Sequence, residues 1–455
     1  MISRRSLLNN LMAAAAGIVV SPNLLLASSN PTNRIPWKNW SGSQVCYPEF
    51  RKAPATIEAL QELIISSKGQ IRPVGSGHSF TPLVPTNDTI VSLSKLSGLV
   101  GHDEEKNQAT ILAGTRLGDI GEPLASVGQA LLNMPDIDEQ SLAGALGTAT
   151  HGTGRNIGCM SSFVEGLKLM TANGEIIECN RTKNTDIFNA ARVNLGALGV
   201  VTEVTMQNAP KYRLKRETTW MPIEEILESA EHISNNNRNF EFYYIPFTGM
   251  GFTDVQNITT EPVSETDKLD QNDGAEDLKL ARDMLSWSPK IREFVLGTYM
   301  KTISKEITIA NSWQNYASER NVRFNEMEYH LPRENMVKAF TEIKNVVEKN
   351  FPEVFFPFEI RYIQGDDIWL SPFYGRETCS IAVHRFFEED YKPLYAAVEP
   401  ILKKYEGRPH WGKINTMNTQ QFKQHYAKWD DFNEVRRQLD PQGKFLNQYL
   451  KSLFV

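Results

Sequence analysis

The stretch Ile71-Arg-Pro-Val-Gly-Ser-Gly-His-Ser-Phe80 decides how this chain is read. A short apolar strand runs into Gly75-Ser76-Gly77, where glycines permit backbone conformations and close approaches denied to other residues. Successive amide N–H groups in such a turn form a concave nest that suits a diphosphate. The imidazole of His78 follows at once, a nucleophile held beside whatever the nest binds. Taken alone, a G-x-G-H run also fits an ordinary glycine turn with a surface histidine.

Two further segments separate these readings. Gly144-Ala-Leu-Gly-Thr-Ala-Thr-His-Gly-Thr-Gly154 sets four glycines among small and hydroxyl residues. Nothing bulky blocks a ligand along that backbone, and Thr148, Thr150 and Thr153 offer hydroxyls to phosphate or ribose oxygens. His410-Trp-Gly-Lys413 lies far downstream. In this order and spacing the three segments resemble the sugar-1,4-lactone oxidase and alditol oxidase branch of the vanillyl-alcohol-oxidase flavoprotein family. The resemblance runs from about Trp40 to the C-terminus. It implies an α+β protein, with a two-part PCMH-type FAD-binding domain and an α+β cap built on an antiparallel sheet. It also implies FAD, bonded covalently through His78. The cofactor contacts it implies are Val74, Gly75, Ser76, Gly77, His78, Ser79, Pro135, Ser141, Gly144, Ala145, Gly147, Thr148, Thr150, His151, Gly152, Val200, Val201, His410 and Lys413. Among these, Pro135 falls where the family places a residue that influences oxygen entry, and His151 is expected to brace its turn.

Phe358-Glu-Ile-Arg361 carries the sharpest catalytic signal. On a strand alternate residues share a face, so Glu359 and Arg361 point one way while Phe358 and Ile360 point into the core. An acid and a base two apart are also the pattern of a structural ion pair. In the family resembled, a Glu-x-Arg pair faces the flavin and the substrate hydroxyls, and Lys413 is the third member. The implied reaction takes a proton from a hydroxyl and a hydride from its carbon, with flavin N5 accepting the hydride. Arg361 and Lys413 then stabilise the negative charge that develops, and Lys413 also polarises the hydroxyl. Glu359 positions hydroxyls or accepts the proton. His384 lies on a candidate cap strand within reach of substrate, and Tyr243, Tyr244 and Tyr374 form a candidate aromatic rim. His102, His232, His330 and His425 default to surface or core positions.

The ends and the composition narrow the class. Ser3-Arg-Arg-Ser-Leu-Leu8 reads as a twin-arginine motif, followed by an apolar run from Leu11 to Val20 and a cleavage site near Ala27. That run is shorter than the about 20 apolar residues a membrane span needs. Residues 1–27 are therefore expected to direct a folded protein to the periplasm or beyond. Removing them takes away Arg4 and Arg5 and no acid, moving the formal charge from -6 to -8. An acidic chain without a basic run is a poor nucleic-acid binder. Cys46, Cys159, Cys179 and Cys379 are scattered with no C-x-x-C pair, which argues against a zinc or iron–sulfur site; an oxidising compartment allows disulfides, and a large core does not need them. Gly152-Thr-Gly154-Arg-Asn-Ile-Gly158 is not a dinucleotide fingerprint, because a threonine-rich segment precedes it where an apolar strand is required.

The organisation follows from periodicity. Thr56 caps a helix over residues 53–68, whose apolar face holds Ile57, Leu60 and Ile64. Strands are expected at Thr89 to Leu93 and Ala109 to Ala113, with a charged turn His102 to Lys106 between them, and a helix at Leu117 to Val127. Asn173-Gly174 turns a hairpin between Phe163–Met170 and Glu175–Cys179. A strand at Gly199–Met206 closes an FAD-binding domain over residues 35–210. A cap over 211–401 carries strand-like runs at Phe240–Pro246, Arg323–Tyr329, Phe355–Ile363 and Cys379–Phe386, a helix at Arg333–Val347, and a polar loop from Thr259 to Glu276. Residues 402–455 return to the FAD domain.

The leading functional expectation is oxidation of an aldono-1,4-lactone or alditol, with oxygen reduced to hydrogen peroxide. A dehydrogenase passing electrons to a cytochrome or quinone is the second. A non-catalytic flavin-binding protein is the third, disfavoured because three charged groups are costly to bury without use.

Overall fold

The computed structural model describes residues 34–264, 275–285, 287–318 and 322–455. The expected leader over 1–27 and most of the polar stretch from Thr259 to Glu276 lie outside these. Among the described residues three sheets matter to the site. A small parallel sheet has Thr89–Ser92 between Phe50–Lys52 and Ile71–Val74. A six-stranded antiparallel sheet includes the hairpin Val164–Met170/Ile176–Asn180 and the strand Val200–Pro210. An eight-stranded antiparallel sheet runs in the order Glu306–Asn311, Arg213–Pro222, Met250–Thr259, Asn239–Ile245, Phe358–Ile363, Thr378–Phe386, Phe324–Pro332, Arg408–Pro409.

Local chemistry explains most boundaries. Thr56 accepts from the Ala59 amide and opens the helix Ile57–Ser66, whose Leu60 and Ile64 are buried. The helix expected over Leu117–Val127 is instead a 3-10 turn, Leu117–Asp119, followed by the helix Gly121–Ser126. Pro123 has no N–H to continue a helix from Leu117, but it is tolerated in the first turn of a new one. The strand Leu99–Asp103, which overlaps the charged turn expected at His102 to Lys106, is a largely exposed edge paired with Gln108–Leu112. An exposed edge strand carries no apolar alternation to reveal it.

The eight-stranded sheet divides by face. Helix Met336–Asn350 buries Met336, Ala339, Phe340, Ile343 and Val347, one apolar stripe. Phe340 packs against Phe242, Tyr244 and Phe358. Tyr244 therefore belongs to the helix-covered core face, with its hydroxyl donating to Glu348, and not to a substrate rim. Alternate residues of the same strands carry charge to the opposite face. Across it the register aligns Glu328, Ala382, Glu359 and Tyr243 in one row, and His330, Ser380, Arg361 and Glu241 in the next.

The C-terminal tail closes onto the first segment quoted. The Ile71 amide donates to the Lys444 carbonyl at 2.9 Å. Asn447 Nδ2 donates to the carbonyls of Pro82 and Pro85. Buried Arg72 donates to the carbonyls of Leu83, Gly196 and Leu195.

Candidate functional site

A cavity of about 330 Å³ opens beside the Gly75-Ser76-Gly77 turn. Of the cofactor contacts expected from sequence, Val74 to Ser79, Ser141, Gly144, Gly147, Thr148, Thr150, Val200, Val201, His410 and Lys413 line it. Four separate segments thus form one wall, made largely of main chain and hydroxyls. At Gly75 an added Cβ would lie 2.1 Å from Ser141 Oγ. The mix of apolar surface with a few polar groups and the glycine cradle fit an extended dinucleotide such as FAD.

Pro135, Ala145, His151 and Gly152 do not line that cavity. Ala145 is core. Gly152 lets two backbone segments approach, because a Cβ there would lie 2.2 Å from the Met134 carbonyl oxygen. Pro135 is buried in the same segment, which goes on to Asp136 and to Ile137 at the cavity wall. Asn239 Nδ2 donates to Asn133 Oδ1 at 3.2 Å, and the Gly154 amide donates to the Tyr362 carbonyl at 2.7 Å. These bonds fix the 133–137 segment and the glycine-threonine segment against the eight-stranded sheet.

His78 stands at the cavity wall with its ring stacked on Trp40, centroids 5.4 Å apart. Burial, and then the charge of Lys413, pull its pKa down to about 4, so it is a neutral imidazole at neutral pH. Lys413 pairs with Glu326, which also lines the cavity. Burial alone would lower the lysine's pKa, but Glu326 and Glu328 more than offset this and hold it above its ordinary value. His384 faces the far side of Glu326 at 3.8 Å, and its Nδ1 donates to the Pro357 carbonyl at 3.1 Å, away from the cavity lining.

Glu359 and Arg361 do not touch the cavity wall itself; they stand on the charged sheet face. Arg361 is buried among three carboxylates: Glu359, Glu241 at 2.8 Å from Nε, and Asp136 at 3.0 Å from Nη2. Burial would lower the guanidinium's pKa, and the three carboxylates raise it well above the ordinary value. Asp136 also acts electrostatically on Lys413, so the Arg361 and Lys413 groups share one neighbourhood.

Behind His410 lies a buried cluster. His151 sets Nε2 2.9 Å from Glu328 Oε1 and Nδ1 2.8 Å from the Gly152 carbonyl. Burial would raise the Glu328 carboxyl, but His151, His330 and His410 together hold it well below the usual carboxylate range. His410 Nδ1 accepts from the Gly412 amide at 3.0 Å, which leaves its proton on Nε2 when the ring is neutral. Burial pulls its pKa down to about 3. His151, Glu328 and His410 have nitrogen and oxygen atoms within 4.8 Å of one another. Their mutual bonds to backbone and to each other make the cluster a hydrogen-bonded brace. His330 packs its ring on His151 and Phe373.

Sequence reading missed Asp136, Glu241, Glu326 and Glu328. A signal existed for two of them, since Glu326, Glu328 and His330 alternate with Met327 and Tyr329 along the strand Phe324–Pro332, as Glu359 and Arg361 do on theirs. Asp136 sits in a loop and has no such signal. All four cysteines are buried and free.

Residues 204–453 match the D-arabinono-1,4-lactone oxidase family, and residues 48–180 match an FAD binding domain. An L-gulono-1,4-lactone dehydrogenase of Mycobacterium tuberculosis is 33% identical over 426 residues, covering 91% of this chain and 98% of the relative. An L-gulonolactone oxidase of Bos taurus is 30% identical over 433 residues, covering 92% and 98%. An alditol oxidase of a Streptomyces species is 26% identical, covering 91% and 98%. In fold the chain is similar to cholesterol oxidase from Brevibacterium sterolicum, with a TM-score of 0.77 at 18% identity, covering 92% of this chain and 96% of that one.

Proposed function

Because the chain belongs to the D-arabinono-1,4-lactone oxidase family of FAD flavoproteins, we propose that its charged sheet face and Lys413 oxidise a hydroxyl of an aldono-1,4-lactone or alditol. The protein is an FAD-dependent oxidoreductase acting on CH–OH groups. FAD, when bound, supplies the two-electron acceptor. The observation that carries the site assignment is the meeting of Lys413–Glu326 and Arg361–Glu359 around Asp136, beside the glycine-lined cavity.

In this reading Lys413, kept as an ammonium by Glu326, donates to the hydroxyl being oxidised and stabilises charge left on its oxygen. Glu359 accepts the hydroxyl proton, and Arg361 fixes the Glu359 carboxylate in place. Val74 to Ser79 and the segment Ser141 to Thr150 hold the cofactor. His78, neutral and therefore nucleophilic at a ring nitrogen, is the attachment point of a covalent flavin. Acid precipitation tests this: yellow colour stays with the chain and is lost from it in His78→Ala. Colour released from the unmodified chain contradicts the bond.

Oxygen is the proposed acceptor, giving hydrogen peroxide. The 33% identical relative is a dehydrogenase, which favours a dye or cytochrome acceptor as the second reading. Oxygen uptake compared with dye reduction, on the same lactone, separates them. Residues 35–210 and 402–455 are assigned to the cofactor part and 211–401 to the cap, supported by the tail's bonds to Ile71 and Pro82. Ser3-Arg4-Arg5 supports export by the twin-arginine route to the periplasm. Fractionation of cells expressing the double variant Arg4→Lys, Arg5→Lys tests it, with retention in the cytoplasm expected. Among the described residues no helix is long and apolar enough to cross a membrane.

A further inference from the structure

We propose that Glu241 is a positioning residue that works in its protonated form, holding Arg361 and Tyr243 so that the Glu359–Arg361 pair is presented to substrate. This rests on the site assignment above and adds a residue to it.

Hydrogen-bond accounting points to the proton. The Tyr243 hydroxyl donates to Glu359 Oε1 at 2.8 Å and has Glu241 Oε1 at 3.2 Å. One phenolic hydrogen serves one of these carboxylates, and the shorter contact takes it. Glu241 Oε1 then faces a phenol oxygen and makes a bond only by carrying a hydrogen of its own. Its other oxygen, Oε2, accepts from Arg361 Nε at 2.8 Å.

Charge accounting agrees. Glu241 is faced by Arg361 and Glu359 from the strand Phe358–Ile363, by Asp254 from Met250–Thr259, by Arg216 from Arg213–Pro222 and by Asp136 from the 133–137 segment. Arg216 is committed to Asp254. Arg361 contacts Asp136, Glu359 and Glu241 together, and three ionised carboxylates against one buried guanidinium would crowd negative charge around it. Burial pushes the Glu241 carboxyl up to about 7; Arg361 opposes this, while Glu359, Asp254 and Asp136 add to it. The folded value lies above the ordinary 4.5. The favoured protonated form is thus complete at lower pH and lost as pH rises through about 7. Ionised Glu241 pulls Arg361 from Glu359 and sets a second negative charge beside it.

Two measurements on the FAD-loaded full chain decide the matter. Infrared spectroscopy of the resting protein is expected to show a carboxylic-acid C=O band below pH 7 that fades above it and is missing in Glu241→Gln. A band unchanged in Glu241→Gln, or no such band below pH 7, overturns the proposal. This arm needs no substrate, so it is independent of the substrate reading. In steady-state kinetics, KM for L-gulono-1,4-lactone is expected to rise above pH 7, approaching about tenfold per pH unit, with kcat little changed. Glu241→Gln, which imitates the protonated carboxyl, is expected to flatten that rise, and Tyr243→Phe to raise KM at all pH. An identical KM–pH profile in Glu241→Gln overturns the proposal.

Discussion

The glycine-lined wall of the cavity and the charged face of the eight-stranded sheet solve different problems with different materials. The first is main chain: Gly75, Gly77, Gly144 and Gly147 line it without side chains, and recognition falls to backbone and hydroxyls. The second is charge: buried Arg361 and Glu359 and half-buried Lys413, each with a partner from another element. A backbone wall needs small residues in consecutive runs. A buried charged face needs counter-charges brought in from distant strands, because an unpaired charge out of water costs several kcal/mol. The two walls should therefore fail differently when damaged.

The largest effect is expected on the charged side. Arg361→Ala leaves Asp136, Glu241 and Glu359 facing one another, and a loss of about 3–5 kcal/mol in urea-induced unfolding is expected. A loss below about 1 kcal/mol would mean that the carboxylates simply take up protons and that the guanidinium is not their organiser. Lys413→Met comes next. It keeps the bulk of the side chain against Phe80, over whose ring the ammonium sits 5.3 Å from the centroid, and removes only the cation. A fall of about 10²–10³ in kcat with the flavin spectrum retained is expected, the range seen when one charge-stabilising donor is lost.

The backbone wall should give way more gently. Gly75→Ala pushes a methyl against Ser141 Oγ, the end of a side chain that can turn aside. Reduced flavin content with near-normal turnover of the loaded fraction is expected. Ser141→Ala added to it should restore flavin content, with a coupling of about 1 kcal/mol between the two positions. Failure of that rescue would place the crowding elsewhere.

The same contrast explains what was legible in the sequence. Gly75 to His78 and Gly144 to Gly154 are contiguous runs, so their order and composition exposed both the wall and the family before any fold was known. The hairpin around Asn173-Gly174 and the helix cap at Thr56 were readable for the same reason, since each is a local rule. Glu359 and Arg361 were visible as an alternating pair, but their partners were not. Glu241 reaches Arg361 only through a strand pairing, and Glu326 meets Lys413 only through an ion pair between distant segments. Asp136 arrives on a loop whose course is set by Asn133 and Gly152. Tyr244 was misplaced because one register step separates the charged face from the core face, and adjacent tyrosines cannot share one.

The most direct test is anaerobic mixing of the purified flavoprotein with L-gulono-1,4-lactone, D-arabinono-1,4-lactone and a linear alditol, following flavin absorbance. At least one of these is expected to bleach the flavin of the unmodified chain, with the rate cut about 10²-fold in Lys413→Met at unchanged flavin content. No bleaching by any of them, or equal rates in Lys413→Met, would contradict the assignment of this charged face to the oxidation of a sugar-derived alcohol.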